Sequence, residues 1–231
     1  MGQQRTYLYP WFGALALAVV TAGIGYAISH TSKVPTAPAQ ASASALTAAA
    51  VFSVAPSQNE LQQVIETLVQ ESAQPKKNPQ TEKTVEALVT KLTDQDYQLL
   101  QEKVLSANNK MAEREAALYV LTLSAAPQAQ GTLVVLAETA LPEFKDLNDP
   151  HSVGSTQRTL ELGLRVTALE SLDQRATGAG SPEVTKGLLR ILQKQQEPSL
   201  RFLAQTSLSG IESGKPGRLK RIIDEMLGTA K

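Results

Sequence analysis

The chain has 231 residues, with 22 basic and 22 acidic side chains, 42% hydrophobic residues and no cysteine. Without cysteine there are no disulfides, no thiol catalysis and no Cys-built zinc site, and a net charge of zero argues against a general nucleic-acid binder. The apolar fraction suffices for a core. With aromatics at only 4% and the apolar positions mostly Ala, Leu and Val, it favours helices over sheet.

The charges divide the chain. All acidic residues lie at or after Glu60, whereas residues 1–59 hold only Arg5 and Lys33. From Glu60 onward, 20 basic residues face 22 acidic ones. A nearly uncharged stretch is thus joined to a densely charged remainder.

The first element in chain order is Trp11 to Ile28, inside the charge-free gap between Arg5 and Lys33. It is about as long as a helix that crosses roughly 30 Å of hydrocarbon. Tyr7, Tyr9 and Trp11 at one edge and Tyr26 near the other suit headgroup depth. Residues 1–29 are therefore expected to be a transmembrane anchor or signal. A retained anchor is favoured, because a signal's apolar core is usually shorter, about 7–15 residues. The small-residue sites Ala37-Pro-Ala39 and Ala41-Ser-Ala43 also stand well beyond the apolar run. Arg5 on one flank and Lys33 on the other predict a single pass. The N-terminus is then cytoplasmic and the remainder exported, as for a bacterial inner-membrane protein facing the periplasm. Residues 30–58, rich in Ala, Pro, Ser and Thr, read as a linker with a reach of about 30 Å if flexible.

From Asn59 the apolar period is near 3.6. It predicts helices over 59–72, 81–92, 94–106, 110–124, 127–141, 156–175, 182–195, 198–212 and 216–227, and no sheet. Thr93 is an expected N-cap, with Asp94 and Asp96 in the first turn, where the helix dipole favours anions. Pro127, Pro182 and Pro198 stand near helix starts.

Three of these segments repeat a pattern: Arg114-x-x-Ala117-x-x-x-Leu121, Arg165-x-x-Ala168-x-x-x-Leu172 and Arg201-x-x-Ala204-x-x-x-Leu208. Offsets of zero, three and seven fall on one helical stripe. The Ala admits a close neighbour, the Leu fills the core, and the Arg is expected to lay its stem on apolar surface with its head outside.

The stretch Glu183 to Ala204 resembles a HEAT repeat: a first helix, a short turn with Pro198, then a second helix carrying the Arg/Ala/Leu stripe. The resemblance extends over roughly 94–212, with weaker flanks at 59–92 and 216–228. It implies an all-α fold for 59–231, a right-handed α-α superhelix of about four helix pairs plus a capping helix. A regular Asp–Arg ladder between repeats is not expected. The positions where HEAT units often place the Asp are Asn108, Thr159 and Gln195.

The repeat spacing is 36 residues from Arg165 to Arg201 but 51 from Arg114 to Arg165. The extra length matches the polar interval 142–155, an insertion that projects from one face. Within it Phe144, Lys145, Asp146 and His151 are the candidate partner-binding residues, against the plainer reading of a tolerated surface loop.

No catalytic, cofactor-binding or metal set is expected. His30 and His151 are the only histidines, and neither sits where packed partners would hold it as a base. Gly210 to Pro216 is one residue short of a phosphate loop and follows a helix. Lys215, Arg218, Lys220 and Arg221 read as a solvated capping face. The sequence therefore implies a membrane-anchored, non-enzymatic protein-interaction scaffold, without nucleic-acid, cofactor or small-molecule partners. The alternatives are a structural subunit of a membrane complex, or a secreted binding protein after signal cleavage.

Overall fold

The structure is a computed structural model that describes residues 56–72, 78–177 and 181–226. Residues 1–55, and with them the expected anchor and most of the linker, lie outside the described residues. Among those described there are nine helices and no strand. They are α1 (Pro56–Ser72), α2 (Pro79–Val89), α3 (Asp94–Leu105), α4 (Met111–Leu123), α5 (Pro127–Glu138), α6 (Val153–Arg175), α7 (Ser181–Lys194), α8 (Pro198–Glu212) and α9 (Arg218–Met226).

Local chemistry explains the boundaries. At α3, Thr93 and Asp96 form a capping box: the Thr93 backbone N–H donates to Asp96 Oδ2 at 2.8 Å, and Asp96 N–H donates to Thr93 Oγ1 at 3.4 Å. The α2 helix begins at Pro79, two residues before the expected start, because Pro79 occupies the first turn and Asn78 caps it by accepting from Gln80 N–H. A missing N–H at that position costs nothing. The α6 helix begins three residues earlier than its apolar period suggests, since the Ser152 hydroxyl accepts from Ser155 N–H at 3.0 Å. The α5 helix stops at Glu138, three residues short of expectation, and the Thr139 and Ala140 carbonyls turn outward to a guanidinium on α6.

The helices pack in consecutive pairs, α1/α2, α3/α4, α5/α6 and α7/α8. The first members of the pairs touch in succession, and so do the second members. Polar contacts show that neighbours within a layer run parallel and in register. In the first layer Gln128 at the start of α5 donates to Asp94 at the start of α3, and Arg190 and Lys194 of α7 reach Glu138 at the end of α5. In the second layer Arg114 of α4 meets Glu161 of α6, and Ser207 of α8 donates to Asp173 of α6. One contiguous apolar cluster runs between the layers, from Leu61 to Ile223. The small and apolar stripe residues Ala117, Leu121, Ala168, Leu172, Ala204 and Leu208 all lie in it.

One close approach sets the spacing of α5 and α7, and one positive-φ glycine makes a turn. A Cβ on Gly187 of α7 would lie 2.6 Å from Val134 Cγ2 of α5. The chain turns from α8 to α9 through Gly214 at φ +68°, a left-handed conformation that suits glycine.

The Gly187 contact yields a prediction. Gly187→Ala should gain up to about 1 kcal/mol of helix propensity, yet overpack a stiff, buried valine at a cost of about 1–3 kcal/mol. We expect net destabilisation in urea unfolding, and a much smaller effect when Val134 is also replaced by Ala. Equal effects in the two backgrounds would show that the α5–α7 contact is not what requires the glycine.

Candidate partner-binding face and its buried supports

The supports of the site are the three arginines of the repeated stripe. Each one caps the C-terminal end of the first helix of its own pair. Arg114 Nε donates to Val104 O in the last turn of α3 at 2.9 Å. Arg165 Nε and Nη2 donate to Thr139 O and Ala140 O just past α5, at 2.9 and 3.1 Å. Arg201 Nη1 donates to Leu192 O and Gln195 O at the end of α7, at 3.0 and 3.1 Å. A helix C-terminus presents unsatisfied carbonyls and about half a negative charge, so a cation is the natural cap.

The expectation that the arginine heads face solvent holds only at Arg201, which is exposed. Arg114 and Arg165 are only 3% and 2% exposed. The physical reason is Glu161, one turn before Arg165 on α6. Its carboxylate accepts from both Arg114 nitrogens Nη1 and Nη2 and from Arg165 Nη1, the last at 2.7 Å. One acid thereby joins two pairs of the stack. The sequence signal that could have found it is the i, i+4 spacing of Glu161 and Arg165.

The three positions where an inter-repeat Asp would stand differ from one another. Asn108 is exposed, Thr159 is half-buried on α6, and Gln195 is 1% exposed. Gln195 Nε2 donates to Ala137 O of α5 at 2.8 Å, while its Oε1 accepts from the Gln196 and Glu197 N–H groups. An uncharged amide thus ties the α7–α8 turn to the preceding pair.

At the other end of α6, Asp173 is fully buried. It accepts from the Ser207 hydroxyl and from Leu219 N–H at 2.8 Å, capping the start of α9. Beside it Glu170 faces Lys220 at 3.9 Å. Lys220 also pairs with Asp224, and Arg221 with Glu225, so these two members of the expected basic capping face are engaged in ion pairs.

The candidate residues lie in the loop between α5 and α6. Lys145, Asp146 and His151 are exposed, and Phe144 is half-buried. The loop is tightly bonded to itself and to α6. Ser152 Oγ donates to Asp146 O at 2.7 Å, Ser155 Oγ donates to Asp149 O at 2.8 Å, and His151 N–H donates to Asp149 Oδ1 at 2.9 Å. Asp146 adopts φ +57°, a left-handed conformation that Asp tolerates better than most residues. A Cβ on Gly154 would lie 1.8 Å from Lys145 O, so only glycine lets the loop seat against the first turn of α6. From this frame two apolar side chains project that the sequence reading did not single out: Leu147, 47% exposed, and Val153, 73% exposed.

A second surface lies across the first layer. A shallow depression of about 530 Å³ runs over Gln98 and Gln101 of α3, Gln128 and Gly131 of α5 and Arg190 of α7. Its polar lining is already committed in part, Gln128 to Asp94 and Arg190 to Glu138. Among the described residues no group of three or more His, Asp or Glu side chains is placed to hold a metal. No helix there is long and apolar enough to cross a membrane. No protein-family model, curated protein or solved structure matches the chain.

Two glutamates of α6 titrate in opposite directions. Burial alone would raise the Glu161 carboxyl, but the hydrogen bonds from Arg114 and Arg165 and their charges outweigh it, holding the group below its ordinary value. Burial raises Glu170; Lys220 opposes this, and the Asp224 and Asp173 charges add to it. A depressed carboxyl contributes stability that is present above the ordinary carboxylate range and is lost as pH falls through the folded-state value. A raised one costs stability as pH climbs from that range through the folded-state value. Glu161→Gln should therefore destabilise the protein at pH 7, by about 3–5 kcal/mol for a broken buried pair, with the deficit shrinking in acid. Glu170→Gln should stabilise it at pH 7, with the gain vanishing as pH falls to the ordinary range. Chemical denaturation across pH 3–8 checks both, and parallel pH profiles for the two variants would contradict the assignment.

Proposed function

We propose that the chain is a membrane-tethered, non-enzymatic scaffold whose HEAT-like helical stack holds the α5–α6 loop out as its protein-binding element. The observation that carries the reading is a loop fixed by its own hydrogen bonds that nonetheless turns Leu147 and Val153 to solvent. Single exposed apolar residues are ordinary. A rigid frame presenting two of them beside Lys145 and His151 is pre-organised for a partner, because little ordering entropy is then lost on binding. The parallel, in-register contacts of first with first and second with second helices support the α-solenoid reading. In such a fold each unit contacts only its neighbours and the outer faces stay available. The right-handed superhelical twist follows from the HEAT resemblance. The tether rests on the uncharged, aromatic-flanked run from Trp11 to Ile28 and the exported orientation on Arg5.

The test places a photo-crosslinking residue at Leu147 or Val153 in the full-length chain in native membranes, with the exposed Gln70 on α1 as the control position. We expect one protein to be captured from the loop positions and not from Gln70. Gly154→Ala, which displaces the loop from α6, should reduce capture at least about tenfold, equivalent to about 1.4 kcal/mol. Equal capture from all positions, or none from the loop, would remove the loop as the binding element. Protease added to spheroplasts should digest residues 59–231, and their protection would contradict the exported orientation.

A further inference from the structure

The last helix of the stack is short and sits on a charged seam. The α9 helix has nine residues, fewer than the roughly 12–15 below which an isolated helix is marginal in water. Its helical form therefore depends on what it packs against, which is α8 and α6. Of its side chains from Arg218 to Glu225, only Leu219 and Ile223 are buried. A segment with so few apolar anchors opens more readily than the core of the same protein.

The seam is unbalanced. On α6, Glu170 and Asp173 stand one turn apart and are both buried. Asp173 is well served: it accepts from the Ser207 hydroxyl and from the Leu219 N–H at the positive end of α9. Glu170 is not. It accepts a long hydrogen bond from Gln174 Nε2 at 3.3 Å. Its cation, Lys220, lies 3.9 Å from Glu170 Oε1 but 3.2 Å from Asp224 Oδ2. The charges acting on Glu170 are thus Lys220, which favours the carboxylate, and Asp224 and Asp173, which disfavour it. The α4, α5, α7 and α8 helices, also packed on α6, set no further charge against it. Burial is the largest effect and raises the carboxyl. Both groups that face Glu170 from across the seam belong to α9, so lifting α9 uncovers Glu170 and returns it toward an ordinary carboxyl.

We propose that α9 is a flap governed by pH, which closes on α6 when Glu170 carries a proton and loosens when Glu170 ionises. A proton on Glu170 removes its repulsion with Asp173 and Asp224 and leaves Lys220 to Asp224. Once ionised, the carboxylate is enclosed beside two others with few donors, and undocking α9 brings water to it. The closed state holds the proton more tightly than the open one, so closing takes up a proton and is favoured as pH falls. The equilibrium moves by up to about tenfold per pH unit, between the closed-state value and the ordinary carboxylate range. Opening bares Leu219 and Ile223 and the surface of α6 and α8 beneath them. The bonds among Arg114, Glu161 and Arg165, toward the other end of α6, do not involve α9.

Hydrogen–deuterium exchange of the purified full-length chain in mild detergent reads the flap directly. Between about pH 5 and about pH 8, protection of the α9 amides, corrected for intrinsic exchange, should fall at least about threefold and by no more than about tenfold per pH unit. Protection of α3 and α5 should stay level. Glu170→Gln keeps the shape of the protonated side chain without its charge, so its α9 should be as protected at the upper pH as the wild-type helix is at the lower. Lys220→Met should steepen the fall, since the lysine is what offsets the ionised seam. Protection of α9 that does not change with pH, or a pH dependence that survives in Glu170→Gln, would overturn the proposal. So would a loss shared equally by all the helices, which is global unfolding. If Glu170→Gln lacks the wild-type helical circular dichroism, Lys220→Met decides, and a pH profile no steeper than that of the wild type would overturn the proposal.

Discussion

Two guanidiniums and one carboxylate at the start of α6 set the constraint on which the stack depends. Arg114 and Arg165 are removed from water together, and a single Glu161 leaves about one positive charge unanswered. Buried charges are costly unless the remaining donors find partners. Here they do: the spare N–H groups point at Val104 O, Thr139 O and Ala140 O. Those carbonyls are the negative ends of α3 and α5, each equivalent to about half a charge. The cluster is close to neutral once the helix ends are included, and it can form only if α3, α4, α5 and α6 are all in place. A buried ion pair is weak evidence for stability by itself. Its value here is registry, since a one-turn slip of α4 past α6 would strand both arginines.

The rest of α6 obeys the same logic. From Glu161 to Asp173 it is buried at every position but Gly163. A helix with no solvent face must either be apolar all round or find a partner for each polar group. It takes the second course. Arg165 caps α5, Arg175 Nη2 donates to Leu121 O near the end of α4, and Asp173 caps α9 while accepting from α8. In a stack where each pair touches only its neighbours, stability is roughly a sum of unit and interface terms. A central helix bonded to four others makes that sum cooperative, because losing α6 unsatisfies groups on both sides of it.

The helices were largely legible in the sequence, because a 3.6-residue apolar period needs only local information. Ala117, Ala168 and Ala204 marked the close seams for the same reason. The arginine heads were not legible. The stripe fixes which way Arg114 leaves α4, yet whether its head meets water depends on Glu161, 47 residues later, and on backbone carbonyls that carry no sequence signature. The same holds for Gln195. As a replacement for an expected Asp it reads as a lost ladder, but its amide supplies a donor for Ala137 O and an acceptor for two N–H groups at once. A carboxylate could have served only the second role. The start of α6 was missed because the apolar period begins after Val153, whereas the cap is a serine with no apolar part. In the loop, Phe144 drew the eye as the aromatic residue, but it is half-buried, and the apolar groups that reach solvent are Leu147 and Val153.

The rigidity of that loop follows from the same economy of backbone groups. An insertion between two helices exposes carbonyls and N–H groups that must find water or one another. Here Ser152, Ser155 and Asp149 answer several of them locally, and Gly154 brings Lys145 O against α6. The loop therefore holds its shape without drawing on the core. Its two apolar side chains face outward because the hydrogen-bonded side is turned in. A floppy insertion of the same composition could fold Leu147 back onto the helices and lose that surface. The frame prevents this collapse, and so the polar residues of the insertion decide where its apolar residues stand.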